Sequence, residues 1–223
     1  MATQLARAHG LEGRYDDALL VLEVQPTEDP EMNVRVLLER GRVVNMQGDP
    51  AGARALFESA FQAATESGFD QLAIDALHMV AIVVPPEEQD ALNRRALELA
   101  ASSDDPRARQ WRASLLNNIG WTAFDAGRYD EALSEFEEAL DARREHGKTA
   151  DIQVARWCVA RTLRALGRVD EALTIQLSLA EEHAAAGTAD PFVDEEIAAC
   201  RAALDLKPER HHSPEGRDHF SAR

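Results

Sequence analysis

The sequence predicts an all-α fold, a right-handed solenoid of antiparallel helix pairs with about five repeats and a C-terminal capping helix. Three observations predict it. One short phrase recurs along the chain, apolar residues flank each copy at helical spacing, and Asp-Pro pairs mark helix starts. No segment alternates with period two for long enough to indicate a β-strand.

The recurring phrase has a glycine followed by a helix start. It reads Gly13-Arg-Tyr-Asp-Asp-Ala-Leu, Gly127-Arg-Tyr-Asp-Glu-Ala-Leu and Gly167-Arg-Val-Asp-Glu-Ala-Leu, with a looser copy from Gly48. A degenerate copy, Val84-Pro-Pro-Glu-Glu-Gln-Asp-Ala-Leu, lies in the long interval between Gly48 and Gly127. Glycine is common where a helix ends, because the next residue often adopts a left-handed conformation. Each copy therefore predicts a helix, a tight turn and a second helix.

Helix starts carry a second signal, an aspartate that can cap the helix and a proline at the first helical position. Four such pairs begin at Asp29, Asp49, Asp105 and Asp190. First helices are predicted near 2–12, 30–47, 70–84, 106–126 and 149–166. Second helices are predicted near 15–25, 50–67, 87–102, 129–146 and 170–186, followed by a last helix near 191–206.

These helices divide the chain into one helical repeat domain, 1–206, and a tail, 207–223. The repeats are predicted near 1–28, 29–68, 69–103, 104–147 and 148–187, with the capping helix at 190–206. The tail is rich in Pro, His and Arg with little apolar content, so we expect it to be disordered. Its histidines, His211, His212 and His219, fit a solvated tail better than a metal site.

Composition excludes several classes of function. Forty acidic residues against 24 basic ones give a formal charge of -16, which disfavours nucleic acid and anionic membrane surfaces as partners. No apolar run approaches the roughly 20 residues of a membrane span, and no signal peptide is evident, so a cytoplasmic protein is expected. Cys158 and Cys200 lack metal-ligand spacing and are expected to be buried thiols. Catalytic signatures are lacking, so we predict no enzyme activity, no cofactor and no metal site.

One segment resembles a known family. Leu116, Ile119, Gly120 and Ala123, followed by Gly127-x-Tyr and then Ala132, Phe136 and Ala139, are similar to a tetratricopeptide repeat. The period near 40 and the Asn117-Asn118 pair resemble the longer repeats of the kinesin-light-chain kind. The third unit departs from the pattern because Pro85-Pro86 replaces the glycine turn. The resemblance covers residues 1 to about 206.

The resemblance implies which small residues meet where the two helices of a unit cross. Small side chains allow the helix axes to approach closely. The predicted facing pairs are Gly120 with Ala132, Gly41 with Ala53, and Ala160 with Ala172.

The resemblance also implies a concave groove lined by first helices. Its inward-facing residues are mostly basic, amide or aromatic: Arg7, Arg35, Arg42, Asn45, His78, Asn117, Trp121, Trp157, Arg161 and Arg164. Second helices carry many of the acids. The sequence therefore predicts a non-catalytic scaffold whose groove binds another protein or peptide, expected to be acidic, because arginine holds carboxylates through paired hydrogen bonds. The Lys and Asn clamp of the chaperone-tail-binding subset does not carry over.

Other interpretations stay open at this stage. The arginines could pair with acids on adjacent helices, the tryptophans could fill gaps between units, and His78 could be a packed core residue. The chain could also be a structural protein that forms homo-oligomers, or a peptide-sensing regulatory module.

Overall fold

The computed structural model describes residues 2–23 and 28–205. Over these residues the chain forms twelve helical segments and no strand. They are α1 (Ala2–Leu11), α2 (Tyr15–Leu22), α3 (Pro30–Met46), α4 (Pro50–Glu66), α5 (Asp70–Val83), α6 (Pro86–Ser102), α7 (Pro106–Arg109), α8 (Arg112–Asp125), α9 (Tyr129–His146), α10 (Thr149–Ala165), α11 (Val169–Ala185) and α12 (Pro191–Asp205).

Consecutive helices pack as pairs, and each pair packs on the next. The first helices are α1, α3, α5, α8 and α10, the second helices are α2, α4, α6, α9 and α11, and α12 covers the C-terminal end. The fold prediction, a right-handed helical solenoid, is confirmed. The predicted tail, with its three histidines, and the last residues expected in α2 and α12 lie outside the described residues.

The turns follow the local chemistry of the sequence. Gly13, Gly48, Gly127 and Gly167 have φ values between 74° and 87°, the left-handed region in which glycine is favoured. The proline turn differs, because Val84 is extended and Pro86 begins α6 directly. A proline pair can thus replace the glycine without loss of the helix pair.

The predicted aspartate caps are confirmed. The Asp29 carboxylate accepts the Glu31 amide at 3.0 Å, and that of Asp49 accepts the Gly52 amide at 2.8 Å. Asp105 and Asp190 accept the amides two residues ahead of them at 2.9 Å. Each bond satisfies a backbone donor that the helix itself leaves unpaired.

Glycines let aromatic rings enter two of the helix crossings. A β-carbon at Gly120 would lie 2.7 Å from the Phe136 ring, and one at Gly41 would clash with the Phe57 ring. Phe57 and Phe136 are among the largest fully buried side chains. The predicted partners Ala53 and Ala132 are fully buried as well, one turn before each phenylalanine. Small residues therefore set these crossings, although the ring is what lies closest to the glycine.

The prediction of one continuous helix over 106–126 is wrong. The helix breaks at Gln110 and Trp111, between α7 and α8. The Trp111 amide donates to the Ala108 carbonyl, three residues back, so the turn tightens there. The partly buried indole of Trp111 packs against His78 of α5, with ring centroids 5.3 Å apart.

Two further findings concern the cysteines and the apolar character of the helices. Cys158 and Cys200 are both buried and free, as predicted. Among the described helices, none is long and apolar enough to cross a membrane.

Candidate functional site

Successive first helices lie side by side, and polar bridges join them. We call the surface formed by α1, α3, α5, α8, α10 and α12 the first-helix face. The residues predicted to line a groove all belong to these helices. Their contacts fall into an N-terminal, a middle and a C-terminal group.

The N-terminal group is an ionic network around a buried carboxylate. Glu39 has a side chain only 4% exposed and accepts Arg7 at 2.9 Å and Arg42 at 3.2 Å. Arg42 also holds both oxygens of Asp75 at 2.8 Å. The hydrogen bond to Glu39 raises the pKa of Arg7, so this arginine stays charged. The network links α1, α3 and α5.

The middle group is uncharged. The Asn118 amide nitrogen lies 3.1 Å from Nδ1 of His78, and burial lowers the pKa of that histidine. The Cys158 thiol donates to Oδ1 of Asn117 at 3.7 Å, and burial raises its pKa to about 12. The two asparagines therefore bridge α8 to its neighbours on either side, α5 and α10.

The C-terminal group repeats the ionic pattern. Arg161 and Arg164 of α10 both donate to Glu196 of α12, at 2.7 Å each, and the Glu196 side chain is only 5% exposed. The hydrogen bond to Glu196 raises the pKa of Arg164. Two cations share one carboxylate, so this cluster carries a formal net charge of +1.

These contacts show whether the arginines predicted for the groove pair with acids within the chain, which the sequence left open. Each arginine predicted for the groove has a carboxylate partner within the chain, including Arg35, which pairs with Glu31 on its own helix at 2.6 Å. Asn45 is half-buried near the end of α3. The first-helix face is therefore less cationic than the sequence predicts.

Aromatic residues form the second feature of this face. The half-buried rings of Trp121 and Trp157, from successive first helices, lie 6.1 Å apart, and Phe192 of α12 extends the series at 6.3 Å from Trp157. The Trp157 indole donates to the Phe192 carbonyl at 3.3 Å. The guanidinium of Arg161 lies 5.3 Å from the Trp157 ring, within cation–π range. The aromatic and ionic groups thus adjoin.

An apolar cleft of about 420 Å³ opens beside Trp157. Its floor includes Leu179, and two of its walls are well exposed, Val154 at 59% and Phe192 at 62%. Exposed apolar side chains around a cavity are a common feature of binding sites. We call this the α10–α12 cleft, lined by Ala150, Gln153, Val154, Trp157, Leu179, His183, Asp190, Phe192 and Val193.

Sequence reasoning found Trp157 but missed Val154 and Phe192. Phe192 directly follows the Asp190-Pro191 helix start, where an apolar residue looks like a core position. Its exposure depends on the spacing between α10 and α12, which sequence periodicity does not supply.

A wider cavity of about 1140 Å³ lies between α5, α6 and α8. His78, Asn118 and Trp121 line it, together with acidic residues such as Asp90 and Asp125. Two predicted groove residues, His78 and Trp121, therefore share one cavity. Arg35 and Arg42 do not line it.

Comparison with known proteins agrees with this architecture. A family model described as tetratricopeptide repeat matches residues 112–146, which hold α8 and α9. The fold is that of a tetratricopeptide-repeat solenoid. No curated protein sequence matches the chain.

Solved structures of other proteins resemble this chain over most of its length, beyond the residues that the family model matches. The TPR-like repeats of a Podospora anserina protein described as kinesin light chain superpose with a TM-score of 0.60 at 16% identity, covering 92% of this chain and 96% of that one. BtubC from P. vanneervenii gives 0.60 at 18% identity, covering 99% and 83%. The tetratricopeptide repeat sensor protein of the signal transduction ATPase kind from Pyrococcus horikoshii gives 0.68 at 16% identity, covering 92% of this chain and 30% of that one. At such identities the likeness shows the fold alone.

Proposed function

We propose that the chain is a non-catalytic scaffold that binds a segment of another protein across its first-helix face. The observation that carries the proposal is the α10–α12 cleft, an apolar cavity with exposed walls next to an aromatic and ionic cluster. Such a cavity suits one bulky apolar side chain of a partner, because apolar burial supplies affinity and the polar rim supplies orientation.

The proposed partner also carries carboxylates. Arg161 lies one to two helical turns from Trp157 and Val154 along α10, so it borders the cleft. Arg161 and Arg164 share a single carboxylate, which leaves one positive charge formally unmatched. A partner carboxylate placed there would complete the pairing. We propose an acidic segment with one large apolar residue.

The relatives are consistent with this role. The repeats of the Pyrococcus horikoshii protein are described as a sensor, and tetratricopeptide repeats generally mediate contacts between proteins. A peptide-sensing module within a larger assembly is one form that the proposed scaffold could take.

The test uses substitution of Phe192 in the full chain. Proteins captured from a lysate of the native organism would be compared by mass spectrometry for the wild type and Phe192→Ser. We expect the specific partners to be lost from Phe192→Ser without a large change in melting temperature, because this side chain is mostly exposed. Leu177→Ser, at an exposed leucine of α11 outside the cleft, is the matched control.

Charge reversal at Arg161 is a poorer test. It would place a second carboxylate against buried Glu196, so a loss of binding would be confounded with a loss of stability.

Capture of the same partners by the wild type and Phe192→Ser would contradict the use of the cleft.

A second candidate function is self-association through the N-terminal pair. Leu5, Leu11 and Leu20 of α1 and α2 are 50%, 76% and 67% exposed, which favours an apolar contact with another copy. Light scattering over a dilution series tests it. A molar mass of one chain at every concentration would exclude this candidate and leave the scaffold proposal intact.

A further inference from the structure

The break between α7 and α8 borders a third, chemically different cavity at one edge of the solenoid. A cavity of about 750 Å³ lies there between the end of α6, the break itself, the end of α9 and the start of α10. We call it the edge cleft. Trp111, the second residue of the break, packs against His78 and is not part of the lining.

The edge cleft is cationic in a strongly acidic chain. Arg109, Arg112, Arg143 and Lys148 line it, and its lining carboxylates are Glu145 and Asp151. The lining has a formal charge of +2, and Glu138, which pairs with Arg112 at 2.9 Å, reduces the local surplus to +1, whereas the whole chain carries -16.

The cations of the edge cleft are held differently from those of the first-helix face. Arg109 donates to a neutral acceptor, the Ser103 carbonyl, at 2.9 Å. Arg143 donates to the Ser114 hydroxyl at 2.9 Å and approaches Asp151 only to 4.0 Å. Arg112 has a close carboxylate, Glu138 at 2.9 Å, while Lys148 is exposed. Arg109 and Arg143 are thus oriented by hydrogen bonds to neutral groups, and each also lies near one carboxylate, Asp105 for Arg109 and Asp151 for Arg143.

We propose that the edge cleft binds a phosphate group. A phosphate ester carries nearly two negative charges at neutral pH, which the four cations of the lining attract. The planar guanidinium groups of Arg109 and Arg143 can each present two donors to phosphate oxygens, and Lys148 adds a mobile ammonium. The group belongs either to a small soluble phosphate compound or to a phosphorylated side chain of a protein. This site lies outside the α10–α12 cleft, so the inference does not depend on the scaffold proposal.

The experiment is isothermal titration of the full chain at low salt with three probes. These are sodium pyrophosphate, a capped phosphoserine pentapeptide, Ac-Gly-Gly-pSer-Gly-Gly-NH2, and the same peptide without phosphate. We expect saturable binding of at least one phosphate probe and none of the unphosphorylated peptide. Binding of pyrophosphate alone assigns the site to soluble phosphates. Binding of the phosphopeptide assigns it to phosphorylated proteins.

Variants locate the binding. Lys148→Gln removes an exposed charge without a packing change, and Arg143→Gln removes the central guanidinium. Each is expected to weaken binding about tenfold, as the loss of one charge-assisted hydrogen bond does. Arg168→Gln, at an exposed arginine that pairs with Glu171 outside the cleft, is the matched control and should bind as the wild type does.

The proposal is overturned by any of three results. These are no saturable binding of either phosphate probe, equal weakening in Arg168→Gln, or wild-type affinity in both cleft variants. Melting temperatures measured alongside show whether Arg143→Gln is folded, and Lys148→Gln decides the question if it is not.

Discussion

The fourth and fifth repeats solve the same helix crossing with different side chains. In the fourth, Gly120 leaves room for the ring of Phe136, which is fully buried. In the fifth, Ala160 stands in the place of the glycine and Gln176 in that of the phenylalanine. Gln176 is fully buried, and neither polar atom of its side-chain amide has a hydrogen-bond partner among the described residues.

The difference shows that two positions vary together. A β-carbon at the glycine position occupies space that the ring would need, so the fifth repeat holds a thinner side chain there. Burying an unpaired amide costs free energy, whereas a buried ring contributes it. We therefore expect the fourth crossing to stabilise the solenoid more than the fifth.

The largest expected effect separates the two crossings directly. Phe136→Ala should lower the free energy of unfolding by about 3–5 kcal/mol, because a fully buried ring is replaced by a cavity. Gln176→Ala should cost less than about 2 kcal/mol, since the lost packing is offset by relief of two unpaired polar atoms. Urea unfolding of both variants measures this. Equal losses would show that the crossings are equivalent.

A smaller effect tests how tightly the fourth crossing is packed. Ala132→Leu should cost about 1–3 kcal/mol, because added methyl groups have no space at a fully buried position. Ala184→Leu, at an exposed position of α11, is the matched control and should leave the melting temperature nearly unchanged. An Ala132→Leu variant as stable as the control would refute the assigned register.

The covariation itself can be measured with a double-mutant cycle. Gln176→Phe alone should destabilise the fifth repeat, because its ring meets the β-carbon of Ala160. Adding Ala160→Gly should restore about 1–2 kcal/mol through coupling between the two sites. Additive effects of the two substitutions would mean that the residues do not share space.

The smallest expected effect concerns Cys158, which holds the position in the fifth repeat that Asn118 holds in the fourth. The pKa of Cys158 is raised by burial to about 12 from 9.0, so folding keeps the thiol protonated. Above pH 9 the unfolded state loses this proton first, and stability falls as pH rises towards 12. Between pH 9 and 10 the loss attributable to Cys158 is about 1 kcal/mol. Cys158→Ala should show a correspondingly shallower decline in urea unfolding, and an identical pH profile would contradict the assignment.

Much of the fold followed from the sequence because its signals are local. Gly127 and Gly167 mark turns, Asp29 and Asp105 cap helices, and apolar spacing defines the faces between them. The break at Trp111 did not follow, because Pro106 to Asp125 carries an uninterrupted helical pattern. What distinguishes it is the contact with His78 of α5, a tertiary interaction.

The candidate site was less predictable because its contacts also depend on how the helices pack. The sequence placed Arg42 and Arg161 on the first helices but left open whether acids would meet them. Asp75 meets Arg42 and Glu196 meets Arg161 from neighbouring helices of the first-helix face, 33 and 35 residues away in sequence. The α10–α12 cleft likewise depends on interhelical spacing. Its exposed wall residue Phe192 resembles a core residue until the helices are placed.

The polar bonds between successive first helices have a mechanical consequence. Glu39 holds Arg7 of α1 and Arg42 of its own helix, and Arg42 holds Asp75 of α5, so α1, α3 and α5 form one charged chain of bonds. The helices α10 and α12 are likewise joined around Glu196. On either side of α8 the corresponding bonds are single and uncharged. Bonds between ionised groups are roughly twice as strong as neutral ones. Under tension along the axis, the first-helix face is therefore expected to part first beside α8, while the ion pairs of Arg94 with Glu131 and Glu135 still hold the second helices α6 and α9 together there.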